Sequence, residues 1–169
     1  MRALRVDADM KSTTWTCPGL SVEHFLPIVP KLLVATCESP CVVVCAGSNN
    51  VGVDTPEGLS YRIEQVVGAI KCVRPKAVNV IVGLLPRLPN RRRQDVPPGF
   101  IVCCNDFIRC LCDRMNLGFV DVCHAIGTDR RCFAGDGLHL SLKGKLILQK
   151  AITYIVSGKG KRFVARPGN

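Results

Sequence analysis

We predict an α/β fold of three layers, in which helices cover both faces of a parallel sheet. Two continuous apolar runs, residues 41–46 and 77–82, have the composition of strands that are buried on both faces of such a sheet. Segments in which apolar residues recur at helical spacing alternate with these runs along the chain. An alternation of strand and helix requires right-handed crossovers, and these place helices on both faces.

The first elements are short. Residues 12–17 are rich in β-branched and aromatic side chains and stop at Pro18-Gly19, which predicts a strand followed by a turn. Ser21 is a candidate N-cap for a helix over residues 22–35, which two prolines interrupt.

Longer elements follow the strand at 41–46. Thr55 before Pro56 predicts the start of a helix that runs to about residue 73. After the strand at 77–82 we expect a helix over 100–115, a strand over 118–123 and a last helix over 142–155.

The length of 169 residues suits one domain with a single core, which we place at residues 1–157. Residues 158–169 are basic and rich in glycine, and we expect a disordered tail there. No apolar run reaches the roughly 20 residues of a membrane helix. The first twenty residues lack the apolar segment of a secretory signal, so we expect an intracellular, cytoplasmic protein.

The formal net charge is +10, and the excess is concentrated in one loop and in the tail. Such clusters attract nucleic acid or anionic membrane surfaces. A solvated loop and tail are the other interpretation, because no interleaved aromatic residues or RNA-recognition motif accompany the charges. The cations in question are Arg87, Arg91, Arg92, Arg93, Lys159, Lys161, Arg162 and Arg166.

Eleven cysteines are many for this length, but their number is odd and there is no secretory signal. Most lie in apolar periodic segments, where a reduced cysteine acts as a small core residue. The alternative is a zinc site formed by residues 103–112 with Cys123-His124. Nothing else in the sequence implies a metal or an organic cofactor.

Two short segments could carry chemistry. Gly47-Ser48-Asn49-Asn50 closes a buried strand, and the Asn49 amide there could face a bound oxyanion. The same composition is also ordinary for a turn. Functional residues of parallel sheets gather beyond the carboxyl ends of the strands, where this segment falls.

The second segment places Asp136 three residues before His139, just ahead of an amphipathic helix. A carboxylate in that position can accept a hydrogen bond from the imidazole, set its tautomer and stabilise its charged form. Alternatively, the segment is only the start of a helix and His139 is a polar flank.

Together these segments resemble the SGNH/GDSL hydrolases, whose fold is flavodoxin-like. Gly19 matches block II of that family, Gly47 to Asn50 match block III with Asn in place of the final Asp, and Asp136 with His139 match block V. The resemblance covers residues 12–156. It implies hydrolysis of acyl or acetyl esters, with His139 as general base, Asp136 as its orienting partner, and Gly19 and Asn49 as oxyanion-hole donors.

The sequence departs from the family at block I, since Gly-Asp-Ser with the nucleophilic serine does not occur. Residues 1–11 are too polar for the central first strand that carries it, so we expect a truncated sheet without that strand. Ser12 and Ser48 are the nearest substitutes, but neither lies on a strand-to-helix elbow. An inactive or truncated hydrolase is therefore the expectation.

The alternative function is a non-catalytic binding module with the same fold, derived from a mobile element. Such a module would contact nucleic acid or an anionic membrane through its basic loop and tail. The cations that would make this contact are Arg91, Arg92, Arg93, Lys159, Lys161 and Arg162.

Overall fold

A computed structural model describes residues 13–35, 40–89, 96–97 and 99–160, together with the backbone of Arg162–Val164. Six helices and four strands lie in these ranges. The helices are α1 (Val22–Phe25), α2 (Val29–Ala35), α3 (Pro56–Val73), α4 (Phe100–Met115), α5 (Cys123–Ile126) and α6 (Leu142–Val156). The strands are β1 (Cys41–Val44), β2 (Val78–Val82), β3 (Gly118–Asp121) and β4 (Arg162–Val164).

The four strands form one parallel sheet in the order β1-β2-β3-β4. Val44 pairs with Ile81, and Val82 pairs with Val120. Because side chains alternate across a strand, Ile81 and Phe119 point into the core under α3 and α4, whereas Val80, Val82 and Val120 point into the core under α6. The predicted three-layer α/β fold is confirmed.

Capping residues mark the ends of the long helices. The Thr55 hydroxyl accepts a hydrogen bond from the Gly58 N–H at 3.1 Å and caps α3, whose first residue is Pro56. Asn116 adopts a left-handed conformation, with φ of 55°, and ends α4. Ser141 caps α6 by accepting from the Gly144 N–H.

Three expectations about strands are corrected. Residues 13–17 are not a strand, because they pair with no described strand, and all of them except the partly buried Cys17 are exposed. β1 is an edge strand of the described sheet and is not buried on both faces; its Val43 is 39% exposed. β3 ends at Asp121 because the Asp121 carboxylate accepts the Cys123 N–H at 2.8 Å and turns the chain into α5.

The tail also differs from expectation at one place. Arg162–Val164 was expected to be disordered, yet its backbone pairs in parallel with β3 as strand β4. The free edge of β3 supplies backbone donors and acceptors that a polar tail can use as well as an apolar one.

Several sequence predictions fall outside the described residues. These are residues 1–12, Arg91 to Arg93, Lys161, Arg166 and the side chain of Arg162. The basic loop and tail therefore stay a prediction. Within the ranges that the structure does describe, no helix has the length and apolar character needed to cross a membrane.

Candidate active site

Asp136 and His139 form a tight pair on the loop that leads into α6. The His139 Nδ1 lies 2.5 Å from the Asp136 Oδ2, and the other carboxylate oxygen accepts the N–H groups of Leu138 and His139 at 2.8 and 2.9 Å. The His139 side chain and these two N–H groups hold the pKa of Asp136 well below its usual range. An ionised carboxylate on Nδ1 fixes the ring, and Nε2 is then the nitrogen that remains for a substrate.

This loop is short and closely held. Its ends meet through a hydrogen bond from the Ala134 N–H to the His139 carbonyl, at 2.7 Å. Gly137 has a φ of +64°, and a Cβ there would lie 3.0 Å from the Leu88 Cβ. The glycine therefore permits both the turn and the close approach of Leu88.

Asn49 lies on a 3-10 turn, Ser48–Asn50, which directly follows β1. Gly47 precedes the turn with a φ of +100°, and a Cβ there would lie 3.1 Å from side chains of Leu59 and Leu84. The Asn49 side chain is exposed, and its Nδ2 donates to the Leu20 carbonyl at 2.9 Å. The described residues supply no acceptor for the second N–H of this amide, which leaves one donor for an oxyanion.

Gly19 lies beside this donor. The chain makes a turn from Cys17 to Leu20, with Pro18 second and Gly19 third at a φ of +78°, which is the pattern of a type II turn. Because Asn49 donates to Leu20, the two predicted oxyanion-hole segments are in contact.

Asn50 is a residue whose importance the sequence analysis missed. It is 1% exposed, and its Oδ1 accepts the Val22 N–H at 2.9 Å. Its Nδ2 donates to Glu23 at 2.8 Å and to Asp54 at 2.7 Å, and Arg62 completes the cluster by donating to Asp54. Hydrogen bonds from its own backbone N–H and from Asn50 lower the pKa of Glu23 to about 2. The cluster fastens the Asn49 turn to α1 and α3.

The segment after β2 joins the two halves of the site. The Arg87 guanidinium donates to the Ser48 carbonyl, and the N–H of the next residue, Leu88, donates to the Gly137 carbonyl at 2.9 Å. The Asn49 turn and the loop of Asp136 and His139 therefore contact adjacent residues of one segment.

Asn105 of α4 anchors the start of that segment. It is buried, and its side-chain amide binds both the N–H and the carbonyl of Leu84, at 2.6 and 3.0 Å. Its position beside Cys104 on an otherwise apolar helix face was a sequence signal for this role, since a buried amide requires partners.

The zinc alternative finds no support in the described part of the chain, where no three His, Cys, Asp or Glu side chains are grouped as metal ligands. Cys123 instead donates its S–H to the Leu84 carbonyl at 3.1 Å. Burial, with the nearby Asp121 carboxylate, raises the pKa of Cys123 to about 12, so this thiol is protonated at neutral pH.

No family model and no curated protein matches this sequence. Solved structures do match. A GDSL-like lipase from Bacteroides thetaiotaomicron superposes with a TM-score of 0.68 at 18% identity, over 84% of this chain and 73% of that one. A carbohydrate esterase family 3 protein from Talaromyces cellulolyticus has a TM-score of 0.66 at 14% identity, over 83% and 68%.

The esterase domain of the ORF1 protein from the zebrafish ZfL2-1 retrotransposon matches over a larger share of both chains. It covers 94% of this chain and 92% of that domain, with 23% identity and a TM-score of 0.55. These superposed structures show that the chain has the α/β fold of the SGNH/GDSL hydrolases.

Proposed function

We propose that this chain is an ester-hydrolase domain of the SGNH type, acting on acyl or acetyl esters. The observation that carries the proposal is the pair of Asp136 and His139, in which both carboxylate oxygens are engaged and the imidazole is held by Nδ1. His139 is 76% exposed at its side chain, so Nε2 is accessible to a substrate from solvent.

Each supporting residue has a role. His139 takes a proton from the attacking oxygen, and Asp136 orients the ring and stabilises its charged form. The free N–H of Asn49 and the backbone N–H of Gly19 donate to the oxyanion that develops on the substrate carbonyl. These donors belong to segments that the Asn49 to Leu20 hydrogen bond holds together.

No residue of this chain is assigned as nucleophile. Gly-Asp-Ser is absent from the sequence, and Ser48 begins a 3-10 turn whose carbonyl Arg87 holds. The chemistry proposed for the chain alone is attack by water on the ester carbonyl. The water proton passes to His139 Nε2 and then to the departing alkoxide, so that an acid and an alcohol leave. Enzymes that lose one triad member retain accelerations of about 10³ to 10⁴ over water, which sets the scale.

The test is hydrolysis of p-nitrophenyl acetate by the purified chain and by histidine variants. His139→Ala should lower the rate at least about tenfold, as expected when a general base is lost. His24→Ala and His124→Ala are matched controls, because any exposed histidine accelerates activated esters. His24 already binds Ser21, with its Nδ1 2.7 Å from the hydroxyl.

The expected product curve is linear from the start, without a burst, because no acyl-enzyme forms. No hydrolysis above buffer, or equal losses in all three histidine variants, would refute the role of His139 as base.

A further inference from the structure

The outer face of α6 carries an exposed apolar stripe. Leu142, Leu146, Lys150 and Tyr154 follow one another at four-residue intervals and therefore lie on one side of the helix. Leu142 is 74% exposed, Leu146 49% and Tyr154 37%. The opposite side of α6 packs on the sheet, so this stripe is not needed for the core.

The same face is positively charged. α6 contains no acidic residue. Lys143 pairs with Asp129 at 2.8 Å, whereas Lys145, Lys150 and Lys159 have no ion pair with any described residue. The face therefore offers a positive surface to a partner.

An open groove crosses the C-terminal half of this face. Leu146, Lys150, Tyr154 and Lys159 are among the residues that line it. The groove lining combines aliphatic and aromatic carbon with two lysine side chains. A partner that fits must bring both negative charge and apolar atoms.

We propose that this α6 face docks on the surface of an anionic lipid bilayer. The leucines enter the boundary between headgroups and acyl chains, and the lysines extend to the phosphates and carboxylates. A single-stranded nucleic acid fits less well, since bases stack on aromatic side chains and the most exposed residues here are aliphatic. The proposal rests on α6 alone and does not depend on the hydrolase chemistry.

The test is cosedimentation of the full chain with vesicles of phosphatidylcholine containing about one third phosphatidylserine, against pure phosphatidylcholine. Only the anionic vesicles should bind the protein, and binding should fall as salt rises from about 0.1 M to about 0.5 M. Lys145→Glu with Lys150→Glu should weaken binding at least about 25-fold, since each lysine near an anionic surface contributes about fivefold. Leu142→Ser with Leu146→Ser should weaken it about tenfold or more.

Matched controls carry the same chemical change elsewhere. Lys71→Glu with Lys76→Glu changes the net charge equally, and Val34→Ser with Val53→Ser removes two valines that are 76% and 78% exposed. Both controls should bind within about twofold of the native chain, because neither touches α6. Circular dichroism on every variant verifies that the fold is retained.

Three outcomes would overturn the proposal. The first is that the chain does not bind anionic vesicles. The second is that the control variants weaken vesicle binding as much as the α6 variants do. The third is that the chain binds a single-stranded oligonucleotide but no vesicles, and that the α6 substitutions abolish this oligonucleotide binding. Because cosedimentation reports binding and not hydrolysis, failure here leaves the test of His139 unaffected.

Discussion

Replacing Asn50 by aspartate tests whether the cluster behind the Asn49 turn depends on a neutral amide. Asn50 donates to two carboxylates, Glu23 and Asp54, and the guanidinium of Arg62 is the nearby cation. Asn50→Asp keeps an oxygen for the Val22 N–H but removes both donors and adds a third negative charge. The amide that replaces the usual aspartate of block III is therefore suited to its two acidic neighbours.

The magnitude follows from the geometry. The Asn50 Nδ2, which becomes a carboxylate oxygen, lies 2.7 Å from the Asp54 Oδ2. Two unit charges centred about 4 Å apart repel by about 1 kcal/mol in water and about 4 kcal/mol near a protein surface. Since the Asp54 side chain is 13% exposed, we expect a loss of about 2–4 kcal/mol in the free energy of unfolding at pH 7.5. Asn50→Ala leaves the buried Val22 N–H without an acceptor and should cost about 1–3 kcal/mol.

Urea unfolding followed by far-ultraviolet circular dichroism measures both variants. Like charges raise the pKa of the introduced carboxyl in the folded state above its unfolded value. The repulsion therefore destabilises the fold fully at a pH above the folded-state pKa of this carboxyl, and it weakens as the pH falls towards the unfolded-state pKa. The deficit of Asn50→Asp should narrow from pH 7.5 to pH 4.5. A variant as stable as the native chain at pH 7.5, or a deficit that does not narrow, would refute this account of the cluster.

Three further predictions concern the loop of His139, the helices and the buried thiols. A Cβ on Gly144 would collide with the Cys132 carbonyl oxygen, so Gly144→Ala should lower the free energy of unfolding by about 1–3 kcal/mol, measured by thermal unfolding. Gly68 in α3 has open space around it, so Gly68→Ala should raise the free energy of unfolding by about 0.5–1 kcal/mol. Equal effects of the two substitutions would contradict the packing of α6. The folded protein lowers the pKa of Asp136 below its ordinary value of 3.8, so the ionised carboxylate stabilises the fold at any pH above 3.8. The difference in free energy of unfolding between the native chain and Asp136→Asn should therefore shrink as the pH falls from 4 towards 2. A difference that is unchanged in acid would disprove the pairing with His139. Burial raises the pKa of Cys104 to about 11 and that of Cys123 to about 12. Alkylation at about pH 8, followed by peptide mapping, should therefore label the exposed Cys72, Cys103 and Cys110 first. Early labelling of Cys123 would be inconsistent with its burial.

The long helices α3, α4 and α6 were predictable because their signals are local, whereas the short helix α5 was not predicted. Thr55 before Pro56 and the apolar spacing of residues 100–115 determine where α3 and α4 begin. The same holds for Asp136 and His139, which lie three residues apart and meet within one turn.

Strand environment was not predictable in this way, because it depends on neighbours that are distant in sequence. The composition of β1 resembles that of a central strand, but only β2 pairs with it among the described strands. Residues 13–17 have strand composition but pair with no described strand, and the tail forms a strand because β3 offers an edge.

The assembly of the site is also non-local. Asn49 reaches Leu20 across 29 positions in the sequence, and Arg87 reaches Ser48 across 39. Neither contact follows from composition or periodicity. Block matching predicted that Asn49 and Gly19 belong to one site, whereas the cluster around Asn50 depends on side-chain contacts that no short motif records.

We expect Asn49 and His139 to act on one ester, because the adjacent residues Arg87 and Leu88 contact the Asn49 turn and the His139 loop respectively. A double-mutant cycle on p-nitrophenyl acetate hydrolysis tests it most directly, with Asn49→Ala, His139→Ala and the double variant. Groups that stabilise one transition state are coupled, so Asn49→Ala should lower the rate of the native chain by a clearly larger factor than it lowers the rate of His139→Ala. Losses that multiply in the double variant would contradict a single site, and so would an Asn49→Ala variant as active as the native chain.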